Sequence, residues 1–237
     1  MRRQLLGKTV YLPLDPYKTS RRIEIRMLKQ YLDVQPGDRL CDIGSGTGYW
    51  TENISGPAYT VGIDILWRDT IIAAQHHQGK HAGFVAANAE KMPFADGAFN
   101  KMFGVCSVEH IPDNVAAFSE FSRCLQPGGV LALTLDALNY EAISPEVRDA
   151  HAKRYWVAHF YDKKNVPQLL GNAGFEVTHM QYLLCSPFAH WLNQWVDRNR
   201  KLQYPFFPFS YPLTILSDKF FGRDDQGWKL AVRAVKM

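Results

Sequence analysis

The stretch Asp42-Ile-Gly-Ser-Gly-Thr-Gly48 decides the fold of this 237-residue chain. It closes a short apolar run, residues 40–43, and sets glycines at three alternate positions, Gly44, Gly46 and Gly48. Glycines between a strand and a helix permit a tight turn and let a ligand approach the backbone closely. A dinucleotide fingerprint, GxGxxG, needs its third glycine one residue later, where Tyr49 stands. Asp42 lies two residues before the first glycine, and an acid there disfavours a pyrophosphate while suiting a ligand with an ammonium group. At this point three readings stand: a tight turn without ligand, a nicotinamide or flavin site, and a site for an ammonium-bearing nucleotide-like ligand.

A second run, residues 59–64, ends in Asp64, 22 residues after Asp42. A carboxylate at a strand end offers two acceptor oxygens to the two hydroxyls of a ribose. Nicotinamide enzymes use the same device, so Asp64 indicates ribose without naming the cofactor. Around this pair the pattern alternates. Ile23, Met27, Leu28 and Tyr31 fall at helical spacing, with Ser20 as the expected N-cap and Pro36-Gly37 as the stop. Residues 69–78 read as a helix, 83–87 as a third strand and 101–106 as a fourth, after the turn residues Pro93, Asp96 and Gly97. Asp113 opens an amphipathic helix through Val115, Phe118, Phe121 and Leu125, expected to stop at Pro127-Gly-Gly129. Residues 130–135 form a buried strand, a further helix ends within 171–174, and strands over 175–182 and 228–235 close the chain. This alternation predicts an α/β, doubly wound, mostly parallel sheet, whose ligands bind at the carboxyl ends of the strands.

Composition bounds the function. With 46% apolar and 21% charged residues, the chain has the core-forming capacity of one domain with an appended element. A net charge of +4, carried by scattered basic residues, does not indicate nucleic-acid binding. Cys41, Cys106, Cys124 and Cys185 form no CxxC pair and read as reduced, buried thiols of a cytoplasmic protein. No His, Cys or acidic group shows metal-ligand spacing, so no metal is expected. The apolar run after Met1-Arg-Arg is too short for a signal peptide, and no stretch approaches the roughly 18 apolar residues of a spanning helix.

Five stretches then agree with a known family: Asp42 to Gly48, Val61-Gly-Ile-Asp64, Asn88-Ala-Glu-Lys-Met-Pro-Phe94, Val108-Glu-His-Ile-Pro-Asp113 and Leu125-Gln-Pro-Gly-Gly-Val130. In order and spacing the chain resembles class I S-adenosylmethionine-dependent methyltransferases, in particular the small-molecule group of the ubiquinone and menaquinone methylating enzymes. The resemblance covers about residues 38–136. It implies a Rossmann-like seven-stranded sheet whose last two strands form a reversed pair. Along the chain this gives a methyl-donor domain over 37–182 and 228–237, with the residues themselves marking an N-terminal helical segment or lid over 1–36 and an aromatic insert over 183–227. The cofactor residues it implies are Asp42, Gly44, Ser45, Gly46 and Gly48 facing the methionine part, and Asp64 and Ile65 at the ribose. Asn88, Ala89 and Glu90 would meet the adenine, and Cys106 and Ser107 the sulfonium region. S-adenosylhomocysteine would be the product. Two positions depart from the family: Asn88 and Asn100 stand where Asp is usual. Asn88 still accepts through its carbonyl oxygen, and position 100 is more structural than chemical.

Methyl transfer from a sulfonium is a direct displacement, so the protein chiefly aligns nucleophile, carbon and sulfur. His110 and His159 are the candidate bases. Tyr155, Trp156 and His159, with Trp191 and Trp195 of the insert, are the candidate substrate contacts. His76 and His77 read as inert on a surface helix. After the fourth strand the text is Cys106-Ser-Val-Glu109, lacking the Asn/Asp-Pro-Pro-aromatic motif of base-amino methylation, and no Pro-Cys pair serves carbon-5 chemistry. The insert joins Phe188, Trp191, Leu192 and Trp195 at helical spacing to Arg198, Arg200 and Lys201, then to an aromatic and proline-rich stretch from Tyr204. A cap helix with an extended arm, a cover for a long apolar substrate, a peripheral membrane contact and a homodimer contact all fit it. The acceptor is expected to be a small molecule or lipid-like. The competing classes are a cofactor-binding regulator without turnover and a nicotinamide-dependent oxidoreductase.

Overall fold

A computed structural model describes residues 2–5, 8–11, 19–141, 143–198 and 203–237. The basic pair Arg200 and Lys201 lies outside the described residues. A hairpin, β1 (Arg2–Leu5) and β2 (Lys8–Tyr11), precedes the helix α1 (Thr19–Leu32). Then come β3 (Arg39–Ile43), α2 (Tyr49–Ile54), β4 (Tyr59–Asp64), α3 (Trp67–His76), β5 (Ala82–Ala86) and β6 (Phe99–Val105). A single 3₁₀ turn, Val108–His110, leads to α4 (Asn114–Cys124) and the long strand β7 (Leu125–Asp136). The chain ends through α5 (Pro145–Tyr155), α6 (Asn165–Asn172), β8 (Phe175–Leu183), α7 (Pro187–Arg198), α8 (Gln203–Phe221) and β9 (Lys229–Lys236).

The main sheet has seven strands in the order β5-β4-β3-β6-β7-β9-β8. β3 pairs in parallel with β4 on one side and β6 on the other, so strand order reverses at β3. That reversal opens a crevice at the carboxyl ends. β9 is antiparallel to both β7 and β8, which gives the reversed final pair.

Alternation along β7 splits the core between two faces. Leu131, Leu133 and Leu135 join Phe118, Phe121 and Leu170 under α4 and α6, whereas Val130 and Ala132 join Leu28, Leu32 and Trp50 under α1 and α2. α1 thus belongs to the helical layer on the sheet. It starts at Thr19, which puts the expected cap Ser20 inside its first turn. Asp113 caps α4 as expected, its carboxylate accepting from the Ala116 amide at 2.9 Å. α4 ends at Cys124 and the strand begins at Leu125, so Pro127-Gly-Gly129 lies within β7, where the pairing with β6 jumps from Phe99–Leu125 to Lys101–Val130 and Gly128 has φ +75°. Asn100 is structural: its Oδ1 accepts from the Arg39 amide at 2.8 Å and its Nδ2 donates to Asp38 at 2.6 Å.

The insert departs from the expected extended arm: residues 203–221 are helical. Local composition, with Pro205, Pro208 and Pro212, argues against a helix. Tertiary packing prevails because Ser210 and Thr214, four residues apart, are both buried. The Ser210 and Thr19 hydroxyls are bonded at 2.9 Å, and Asp218, one turn further, accepts from the Ser186 amide at 2.9 Å.

On α4, Phe121 is fully buried and Val115 is 60% exposed. Urea denaturation should find Phe121→Ala destabilised by about 3–5 kcal/mol and Val115→Ala changed by less than about 0.5 kcal/mol. Equal effects would place the wrong face of α4 on the sheet.

Candidate active site

A cavity of about 510 Å³ opens at the carboxyl ends of β3, β4 and β6, within the size range of small-molecule sites. Of the residues expected at the cofactor, Gly44, Asp64, Ile65, Asn88, Ala89, Glu90, Cys106 and Ser107 line it. His110, Tyr155 and Trp156 line it as well. Leu66 and Pro112, which sequence reasoning did not single out, complete the wall with Ile43, Ile63, Ala87 and Ile111.

The glycine loop is shaped by protein neighbours as much as by space for a ligand. Gly44 (φ +72°) and Gly48 (φ +85°) adopt the left-handed region, and each is crowded. A Cβ on Gly44 would lie 2.5 Å from the Ser107 Cβ, and one on Gly48 would lie 2.5 Å from the His77 ring. Gly46 (φ +51°) faces open space, so its requirement is conformational alone. His77 is therefore misread as a surface residue: it is buried, packs on Phe84 at 5.0 Å and donates from Nδ1 to the Ala73 carbonyl at 2.8 Å. It supports the loop from behind, a role with no sequence signal because the contact spans 29 residues.

Asp64 is doubly held. Its Oδ2 accepts from the Gly46 amide at 2.9 Å and its Oδ1 from the Leu66 amide at 2.8 Å. Each oxygen keeps a second lone pair. Asp42, Ser45, Gly46 and Gly48 do not themselves line the cavity. Asp42 is buried beneath the loop, where its Oδ2 accepts from the Thr51 hydroxyl at 2.6 Å and its Oδ1 has no partner. Burial pushes its carboxyl up to about 7, against the lowering effect of the Thr51 bond. Asn88 folds back on its own turn, accepting from the Glu90 amide at 2.9 Å, while Glu90 accepts from the Asp113 amide at 3.0 Å.

Cys106, at the end of β6, has φ +48° and belongs to a buried polar cluster dispersed in sequence. Its thiol donates to Glu24 at 3.3 Å, and the Lys229 ammonium donates both to Cys106 Sγ at 2.9 Å and to Asp136. His151 Nε2 donates to Asp136 at 2.9 Å. Glu109 is fully buried beside them with neither carboxyl oxygen bonded. Burial, then the Asp136 charge, raises its carboxyl to about 8. Burial works against the Lys229 charge, yet Asp136 and the other acids hold that ammonium well above its usual range. Cys106, Glu109 and Asp136 bring three ligand-type atoms within 4.8 Å of one another, an association that spacing did not show. Lys229 supplies a cation to this group.

The two candidate bases separate. His110 is exposed in the cavity wall and donates from Nδ1 to the Trp156 carbonyl at 3.1 Å, which leaves Nε2 as the acceptor of the neutral ring. His159 is not in the wall: its Nε2 donates to the Pro112 carbonyl at 2.9 Å, and its amide to the Glu109 carbonyl at 3.1 Å. It fastens the 108–112 turn to the segment after α5. Trp191 and Trp195, on α7, stack with ring centroids 6.3 Å apart and stand outside the cavity wall.

Comparison with known proteins agrees with this geometry. Residues 41–133 match the family described as "Methyltransferase domain". The chain is 30% identical over 151 residues to phosphoethanolamine N-methyltransferase 3 of Arabidopsis thaliana, covering 61% of this chain and 30% of that protein. It is 28% identical over 158 residues to O-methyltransferase rstn1 of Aspergillus nomiae, covering 64% of this chain and 70% of that protein. Among solved structures, phosphoethanolamine N-methyltransferase 2 of Haemonchus contortus in complex with S-adenosyl-L-methionine superposes with a TM-score of 0.69 at 18% identity. That match covers 91% of this chain and 52% of the other, so the chain spans about half of that relative or less of the plant one. Residues 41–133 are thus similar to a methyltransferase domain, and the superposition shows that the chain shares the fold of that S-adenosyl-L-methionine complex.

The raised Glu109 carboxyl predicts a pH dependence of stability. The folded protein holds this proton to about pH 8, whereas the unfolded chain releases it near the ordinary value of 4.5. Between those values the folded state binds more protons, so stability falls as pH rises. Glu109→Gln should remove that slope and leave the variant more stable than the parent at pH 8 by about 1–3 kcal/mol in urea denaturation. A variant less stable at pH 8 than at pH 5, relative to the parent, would contradict the assignment.

Proposed function

We propose that this chain transfers a methyl group from S-adenosylmethionine to a small-molecule or lipid-like acceptor by direct displacement. The observation that carries the reading is the cavity at the sheet's reversal point. It combines the Asp64 carboxylate, Gly44 of the glycine loop and the Asn88 to Glu90 turn in one wall. These residues fit the cofactor's parts. The free lone pairs of Asp64 suit two ribose hydroxyls, the apolar Ile65 and Leu66 suit a base plane, and Asp42 lies as a buried acid behind the loop that would meet the ammonium end. When bound, the cofactor supplies an electrophilic methyl group on a sulfonium and leaves as S-adenosylhomocysteine.

The chain's own residues then position and desolvate. Cys106 and Ser107 shape the wall at the end of β6, and the Ser107 hydroxyl, donating to the Ile43 carbonyl at 2.7 Å, keeps β6 against β3 there. His110 Nε2 is the group available to take a proton from a hydroxyl or ammonium acceptor. Tyr155 and Trp156 form the substrate side, with Trp156 83% exposed and free to cover an apolar acceptor. The relatives' names divide between nitrogen and oxygen acceptors, and both chemistries need this same alignment.

The test is transfer of an isotopically labelled methyl group to pooled amine and hydroxyl acceptors. Labelled product is expected, with His110→Ala lowering kcat about 10²–10⁴-fold and leaving the thermal shift given by S-adenosylhomocysteine intact. A thermal shift with no product from any acceptor pool would favour the regulator without turnover. Protection by NADH alone would overturn the reading altogether.

A further inference from the structure

The outer face of α8 contributes no residue to the cavity wall, and its chemistry is specific. Phe209, Leu213, Leu216 and Phe220 are each at least half exposed. Their steps of four, three and four residues place them in one stripe along the helix. The opposite face is accounted for, since Ser210 and Thr214 are buried and Asp218 accepts from the Ser186 amide. The stripe is therefore the side of α8 that the fold leaves bare.

We propose that this face docks α8 flat on the surface of a bilayer containing anionic phospholipid. Two observations favour lipid over a second copy of the chain. The first is charge. Among the exposed residues of α8 the one charged side chain is Lys219, and the single acid of the helix, Asp218, is turned to the protein. In sequence, the stretch 197–201 before the helix carries Arg198, Arg200 and Lys201 against Asp197, a net charge of +2 (positions 200 and 201 lie outside the described residues), and α7 contributes the exposed Trp191. An apolar stripe with aromatics and cations matches the headgroup boundary of an anionic membrane. The second is area. A one-residue-wide stripe from Phe209 to Phe220, eleven helical steps, is about 16 Å long. It presents on the order of 400 Å² of apolar surface, below the roughly 800 Å² per partner of a stable protein interface. Among the described residues no helix is long and apolar enough to cross a membrane, so the contact is one of lying on the surface.

The topology places this face usefully. β8 runs parallel to β7, because both are antiparallel to β9, so α7 and α8 follow β8 at the carboxyl end of the sheet, where the cavity opens. Trp228 links the two regions: its ring meets His190 of α7 at 5.3 Å and His151 of α5 at 6.0 Å, and His151 meets Tyr155 of the cavity wall at 4.6 Å. A lipid-held enzyme would present its cavity end near the bilayer.

The experiment is flotation of the full chain with vesicles of phosphatidylcholine alone and of phosphatidylcholine with phosphatidylglycerol, at low and high salt. Binding to the anionic vesicles is expected, weakened by salt and reduced at least tenfold in Leu213→Asp/Phe220→Asp. The doubly substituted chain should keep its melting temperature and its thermal shift with S-adenosylhomocysteine, because both positions are exposed and outside the cavity. Absence of flotation by the parent chain overturns the proposal, as does undiminished flotation of the variant. So does a concentration-dependent dimer that the same substitutions dissolve, which would assign the face to a second copy. Retained cofactor binding in a chain that never floats would leave the methyltransferase reading standing alone.

Discussion

One carboxylate holds the functional end of this protein together. Asp64, last residue of β4, accepts from the amides of Gly46 and Leu66, and so ties the loop after β3 to the loop after β4. The tie is reinforced by the Gly44 and Ser45 amides, which both donate to the Ile63 carbonyl at 2.9 Å. The loop can come this close only because the β4 position facing it has no side chain: a Cβ on Gly62 would lie 2.7 Å from Ser45 and from Phe84. A charge-assisted bond of this kind contributes about 1.5–3 kcal/mol. Its larger consequence is geometric, since it fixes the walls of the cavity before any ligand arrives.

Beneath that wall the protein accepts an electrostatic cost. Glu24, Glu109, Asp136 and Cys106 gather around the Lys229 ammonium at the end of β6 and the start of β9, with Glu109 left unbonded. Removing such groups from water is expensive, and attraction among them only partly offsets it. Keeping Glu109 protonated at neutral pH lowers the cost, in line with its raised carboxyl. Of this cluster Cys106 lines the cavity, so the shape of the wall at that point depends on side chains contributed by four other elements of the fold.

The layered fold was legible because its signals are local and repeated. The runs at 40–43, 59–64 and 130–135 are apolar, each is bounded by glycine, proline or an acid, and their spacing admits helical crossovers. Part of the cavity wall was legible through the family motifs, Asn88 and Ser107 included, whereas Asp42, Ser45, Gly46 and Gly48 stand outside it. What escaped the sequence depends on distant partners. His77 looks like any helix-end histidine until the bare Gly48 is placed against it. Asp136 and Lys229 lie 93 residues apart and carry no spacing. The prolines of 203–221 signalled an extended arm, and the helix is explained by tertiary packing, with Tyr211 and Ile215 against the core and Ser210 bonded to Thr19. His159 sat in a promising aromatic run, yet its ring is occupied by the Pro112 carbonyl.

The central claim is that the Asp64-tied cavity is the methyl-donor site. Calorimetric titration of S-adenosylhomocysteine into the parent chain and into Asp64→Ala, with the folded state of each verified by its melting transition, tests it most directly. One molecule bound per chain is expected, weakened at least tenfold by the substitution, since it removes both the ribose acceptors and the tie to Gly46. Equal affinity in the two proteins would contradict it.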